Sequence, residues 1–191
     1  MSPRTPKQFE EIRESRKLQI MQVALEVFAS EGYQSVSIAR IAKKAGISKG
    51  LLYNYFLSKE DLLNSILLLG LQKFHDILNQ FQDELDTPEE LMSYIQGGFE
   101  LIRKEPEFYR LSFSVLFQPG VAEAAQSRYR EMVAHLSKDI SFYFETMGDP
   151  NPAEKAMLLG KMIESVGLLY SVSPTTVDLD KMENIIFELF K

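Results

Sequence analysis

The stretch from Ser37 to Phe56, SIARIAKKAGISKGLLYNYF, constrains the fold of this chain more than any other. Ser37 is placed to cap a helix by accepting from the free amides of its first turn, and Ile38, Ile41, Ala42 and Ala45 follow on one helical face. Gly46 ends that helix, because glycine adopts the left-handed conformation needed just past a helix C-terminus at no steric cost. Ile47 then returns an apolar side chain to the core, and Ser48 caps a second helix from Lys49 to about Tyr55. Two short helices around a glycine turn make a helix-turn-helix.

The second helix spends little of its surface on packing. Leu52 and Phe56, four residues apart, face the core and leave Lys49, Gly50, Tyr53, Asn54 and Tyr55 to point elsewhere. Lysine brings a cation with three donors and asparagine an amide able to bond an adenine edge twice. The tyrosines bring hydroxyls and flat rings, and Gly50 lets the backbone approach a phosphate or base closely. Taken singly, Tyr53 or Tyr55 serves equally well as a core tyrosine that exposes only its hydroxyl.

The wider pattern from Leu18 to Leu62 comprises Ile20, Ala24, Leu25, Phe28, Gly32, Tyr33, Ser37, Ile38, Ile41, Ala42, Ala45, Gly46, Ile47, Ser48, Lys49, Gly50, Leu52, Tyr53, Tyr55, Phe56, Lys59, Glu60 and Leu62. Dense and in order, it resembles the DNA-binding domain of the TetR family of bacterial transcriptional regulators. It covers 45 of the 191 residues; beyond it the resemblance is one of architecture. DNA-binding residues are therefore expected at Ser48, Lys49, Gly50, Tyr53, Asn54 and Tyr55, at base edges or adjacent phosphates. Ser37, Arg40 and Lys59 are expected to hold the DNA backbone, although Arg40 suits a solvent-facing position equally.

Net charge is the first objection to a DNA-binding role, since the chain carries −6. Its distribution answers the objection: residues 1–60 sum to +4 and residues 61–191 to −10, so the basic part coincides with the helix-turn-helix. With 45% hydrophobic and 25% charged residues, and no apolar run long enough to span a bilayer, the composition is that of a globular domain outside the membrane. The opening residues mix both charges without an apolar segment, so export is not expected and a bacterial cytoplasmic location is. There is no cysteine, and His75 and His135 are the only histidines, so no metal site and no cofactor are expected.

Helical start signals recur along the rest of the chain. Ser58-Lys59-Glu60-Asp61 has the layout of a capping box and opens a long fourth helix, apolar around more than one face. Pro88, Pro106 and Pro152 each stand where a first-turn amide needs no partner, while Gly120 and Gly148 bracket a helix from about Val121 to Met147. No segment sustains strand alternation. The expected fold is all-α with about nine helices. Residues 1–57 form a three-helix DNA-binding domain preceded by a flexible arm at 1–9, and residues 58–191 form a larger effector-binding and dimerisation bundle.

The larger bundle carries aromatics and methionines able to line an apolar cavity, with Met92, Gln96, Phe99, Phe113, Phe117, Tyr129, Met132, His135 and Tyr170 as candidate ligand contacts. At helical spacing such side chains also serve simply as core, and the effector site is what the resemblance implies. Gln118 belongs with the polar residues able to orient a ligand. Gly160 and Gly167, two turns apart, permit close helix approach. A four-helix dimer interface is therefore expected from Leu159, Gly160, Ile163, Val166, Gly167, Ile185, Ile186 and Leu189, the alternative being that these finish the monomer core.

The function expected is a homodimeric repressor that binds a palindromic double-stranded operator and is released by a small, largely apolar effector. A transcriptional activator and a helical protein-binding adaptor are the alternatives. An enzyme would need a nucleophile elbow, a phosphate loop or a clustered His–carboxylate set, and the sequence holds none of these motifs.

Overall fold

The computed structural model describes residues 5–78, 85–124 and 127–191, with the side chains at 74, 77, 78, 122, 127–130, 132 and 133 outside that description. Ten helices and no strand occur among the described residues: α1 (Pro6–Glu31), α2 (Ile38–Lys44), α3 (Lys49–Tyr53), α4 (Lys59–Leu78), α5 (Pro88–Lys104), α6 (Pro106–Leu116), α7 (Val121–Ala124), α8 (Ser127–Thr146), α9 (Pro152–Val172) and α10 (Leu179–Phe190). The helix expected from Val121 to Met147 is described as two segments, α7 and α8.

Capping explains most starts, and one correction. Residues 6–9, expected in a flexible arm, are already helical, because Thr5 and Gln8 form a reciprocal capping box ahead of Pro6. At α5, Thr87 and Glu90 do the same, and the Glu90 carboxylate also accepts from the Asp86 amide at 2.9 Å. At α4 the box is displaced by one residue. Ser58 Oγ accepts from the Asp61 amide at 3.0 Å, while the Asp61 carboxylate reaches back to Leu57 N–H at 2.8 Å.

The chain divides into two compact units that are not successive halves: Met1–Leu67 with Ser114–Gln126, and Leu68–Phe113 with Ser127–Lys191. The first unit buries Ile20, Ala24, Leu25 and Phe28 of α1, Ile41 of α2, Leu52 of α3, Phe56, and Leu62, Leu63 and Ile66 of α4. Val115 and Val121, far away in sequence, are buried in it too.

The second unit packs α5, α8, α9 and α10 around Leu91, Ile95, Phe99, Ile102, Tyr143, Phe144, Leu159 and Ile186. Gly167 of α9 lies at a close approach inside it. A Cβ there would overlap Ile102 Cδ1 and stand 3.0 Å from Tyr109 Cε1. Gly167→Ala is therefore expected to lower stability by about 1–2 kcal/mol through overpacking, although alanine favours helix. Urea denaturation checks this, and an unchanged midpoint would show that α5 yields freely.

Candidate nucleic-acid interface

The helix-turn-helix is built on two apolar anchors. Ile38, Ile41 and Ala42 fix α2, and Leu52 with Phe56 fixes α3. Between them Gly46 takes φ +67°, and Ile47 N–H closes the turn on the Ala42 carbonyl at 3.0 Å. Ser37 Oγ accepts from Arg40 N–H at 3.2 Å, and Ser48 Oγ from Leu51 N–H at 3.0 Å. Both serines thus cap helices, which leaves their hydroxyl hydrogens available to a phosphate.

With α3 held by Leu52 and Phe56, Lys49, Gly50, Tyr53 and Asn54 are exposed and Tyr55 is half-buried, its ring 6.4 Å from that of Phe56. The Lys49 ammonium lies 5.8 Å from the centre of the Tyr53 ring, one turn on. Around Gly50 a Cβ would meet only Ser48 Oγ, at 4.0 Å. Nothing inside the protein requires glycine at that position. Gly50→Ala is accordingly expected to keep or raise the melting temperature, alanine being up to about 1 kcal/mol the better helix former. It is also expected to weaken duplex retention about tenfold, and equal retention would mean that this backbone makes no close approach to DNA.

The structure gives two of the expected backbone contacts other work. Arg40 forms a two-pronged pair with Glu31 of α1, Nη2 to Oε1 at 2.7 Å and Nε to both oxygens at 3.1 Å. The Arg40 hydrogen bond and charge hold the Glu31 carboxyl below its ordinary range, and Glu31 raises Arg40 in turn. A phosphate would have to compete with that carboxylate. The Lys59 ammonium turns inward: it donates to the carbonyls of Tyr33, Gln34 and Val36 at 2.8, 3.2 and 3.1 Å. It also lies 4.5 Å from the centre of the Tyr33 ring. Its three donors are committed to the turn between α1 and α2. Burial pushes the Tyr33 hydroxyl up to about 12, helped by the charge of Glu60.

Lys43 and Lys44, exposed in the last turn of α2, were missed by sequence reasoning. Their signal was available: two cations at a helix C-terminus next to the turn, where the helix dipole favours positive charge and a phosphate would lie close.

Residues 20–66, the span holding all of this geometry except the start of α1, match the family described as bacterial regulatory proteins, tetR family. Residues 20–66 thus form a TetR-family domain. The chain is 30% identical over 113 residues to the HTH-type transcriptional activator FasR of Mycolicibacterium smegmatis, covering 58% of this chain and 52% of that one. It is 33% identical over 86 residues to the fatty acid metabolism regulator protein of Bacillus subtilis, covering 44% of each. The chain thus spans about half the length of these curated relatives. The Thermus thermophilus TetR-family repressor FadR, solved in complex with lauroyl-CoA, shares its fold at a TM-score of 0.60 and 20% identity, with 91% and 92% of the two chains covered.

The candidate ligand contacts that are described differ widely in burial. Phe99 is fully buried in the core of the second unit, Met92, Phe113 and Tyr170 are half-buried, and Gln96 is exposed. His135, expected to face a ligand, lies out on α8 beside Asp139, Nδ1 to Oδ2 3.5 Å, with its side chain 73% exposed. Phe117, also expected at the ligand, is 72% exposed and belongs to the other unit. The side chains of Tyr129 and Met132 lie outside those described.

Half of the expected dimer residues are already buried within the single chain. Leu159, Ile163 and Ile186 belong to the buried cluster, and Gly167 meets Ile102 and Tyr109 of its own chain. Gly160 has open space around it, Val166 is half-buried, and Ile185 and Leu189 are exposed at 42% and 60%. The apolar face left outward on α9 carries Met157, Leu158, Leu169 and Val172. Heptad-like spacing marks both faces of such a helix alike, so the pattern alone does not tell core from partner. Among the described residues no helix is long and apolar enough to cross a membrane, and no group of three or more His, Cys, Asp or Glu could hold a metal ion.

Proposed function

We propose that this protein is a sequence-specific DNA-binding transcriptional regulator of the bacterial cytoplasm, acting as a homodimeric repressor released by an apolar small molecule. The observation that carries the reading is α3. Lys49, Gly50 and Tyr53 of this helix and Asn54 at its end stand exposed, with Leu52 and the following Phe56 buried, next to the cations of α2. One helix this short reads few bases. Pairing through the outward apolar face of α9 and α10 would present two such helices to successive major grooves, about 34 Å apart.

The effector is inferred by class only. Relatives named for fatty acid regulation, and the lauroyl-CoA complex of a protein with this fold, support a fatty acyl ligand in the bundle of α5, α8 and α9. For release, that ligand must bind the wrongly spaced dimer better than the right one, in proportion to what DNA loses. The name of FasR, an activator, supports the second reading, in which the same head recruits transcription instead of blocking it.

Selection from random duplexes tests the core of the proposal. A palindrome should emerge, with retention falling steeply as salt is raised, on a protein of twice the chain mass by light scattering. Failure to enrich any duplex would refute DNA reading, and enrichment of a single half-site by a monomer would refute the dimer. A reporter placed behind the selected site separates repressor from activator by the sign of the response.

A further inference from the structure

The turn between α1 and α2 is closed by two side chains from outside it, and one of them lies 85 residues from its nearer partner. Gln118 Oε1 accepts from Tyr33 N–H at 2.6 Å, and its Nε2 donates to the Phe28 carbonyl at 3.0 Å. The side-chain amide therefore behaves as an extra peptide unit at the end of α1. It takes up the first N–H past the Gly32 cap and shares a carbonyl that Gly32 N–H already uses at 3.0 Å.

The backbone that carries Gln118 is itself rigid. Gln118-Pro119-Gly120-Val121 is a tight turn, with Val121 N–H donating to the Gln118 carbonyl at 3.2 Å. Proline at its second position and glycine at φ +78° at its third are what a type II turn requires. Val115 and Val121 on either side are fully buried. A little further on, Ala124 gives its carbonyl to the buried Asn64 amide of α4 at 3.0 Å. Gln118, which sequence reasoning placed among ligand-orienting groups, is thus aimed at the reading head and fastened from both sides.

We infer that Gln118 is a positioning residue for DNA reading: its amide locks the α1–α2 turn and so sets the angle at which α2 and α3 meet the groove. The inference rests on the DNA-binding role proposed above. Lys59 holds the carbonyls of this turn and Gln118 holds its leading N–H, and Ser37 starts α2 only four residues after Tyr33. Without the amide, a buried N–H is left unpaired and the head samples several orientations. Affinity then falls by the fraction of time the competent one is lost. Base preference stays, because Gln118 touches no reading side chain.

The test compares wild type with Gln118→Met, which fills similar space but neither accepts nor donates at these positions, and Gln118→Glu, which keeps the acceptor for Tyr33 and loses the donor to Phe28. Native-state hydrogen exchange should show the Tyr33 amide exchanging at least tenfold faster in the Met variant, with the Tyr143 and Phe144 amides of the other unit unchanged. On the selected duplex the Met variant should bind about tenfold more weakly with the consensus unaltered, and the Glu variant should fall between it and wild type. If the Met variant does not fold, the Glu variant alone decides, by an affinity below wild type in a protein with wild-type Tyr33 exchange. Wild-type affinity in the folded variants, or a changed consensus, would overturn the role of Gln118. A wild-type protein that retains no duplex would instead overturn the DNA-binding role, and the positioning role with it.

Discussion

Replacing Arg103 with methionine is expected to lower stability by about 3 kcal/mol at neutral pH. Arg103, near the end of α5, reaches α10, where Nη2 stands 2.5 Å from Glu183 Oε1 and also pairs with Asp180. Glu183 is only 5% exposed, so without the guanidinium a carboxylate is left inside the bundle with Asp180 and Glu100 as like-charged neighbours. Burial already raises Glu183 above the usual glutamate range, with Arg103 offsetting part of the rise. Burial alone would lower Arg103, but the hydrogen bond and charge of Glu183, with Asp180, leave it raised.

The sign of the pH dependence follows from that direction. A carboxyl whose folded pKa exceeds its unfolded value binds its proton more tightly when folded. The stability it contributes is complete below the unfolded pKa and is lost as pH rises through the folded one. In Arg103→Met the offset disappears and the folded value rises further. The deficit against wild type should therefore be large at pH 8 and shrink toward pH 5 as Glu183 takes up a proton. Urea denaturation at the two pH values reads this directly, and an equal deficit at both would show that Glu183 carries no buried charge. Asp149 works in the opposite sense: its bond to Lys155, first, holds its carboxyl low, so its contribution is lost as pH falls.

Lys59→Met is expected to cost about 2 kcal/mol in the first unit, because three carbonyls of the α1–α2 turn lose a charged donor together. Its effect on DNA should be indirect. A lysine that neutralises a phosphate lowers the dependence of log affinity on log salt by about one unit when removed, whereas a lysine that holds the turn leaves that slope alone. Melting and salt-titrated duplex binding, measured on one sample, separate the two. A slope reduced by about one at unchanged stability would return Lys59 to the DNA backbone.

The local features were legible because their causes are local. A serine cap, a proline in a first turn or a glycine past a helix end acts through neighbours within four residues. Accordingly Ser37, Ser48, Pro88, Pro106, Pro152 and Gly46 are found where their chemistry requires. Residues 6–9, expected in the flexible arm, are helical because Thr5-Pro6-x-Gln8 is itself a capping box.

Partners distant in sequence were not legible. Lysine at 59 suits a phosphate and a carbonyl equally, and the choice depends on where residues 33–36 lie. Leu159 and Ile186 differ from Leu158 and Ile185 in nothing that a sequence records; one position of helical rotation decides which pair is buried.

By itself, then, the amino-acid sequence determined most of the helices, most of their caps and the residues exposed along α3, because these depend on backbone sterics and near-neighbour hydrogen bonds. Tertiary structure alone decided that Gln118 and Lys59 brace the turn above that surface and that Gly167 admits Ile102 instead of a partner helix. It also decided that Arg103 guards a buried carboxylate. The reason is physical: those contacts join residues 23 to 90 positions apart, and only chain packing, not periodicity, brings their donors to their acceptors.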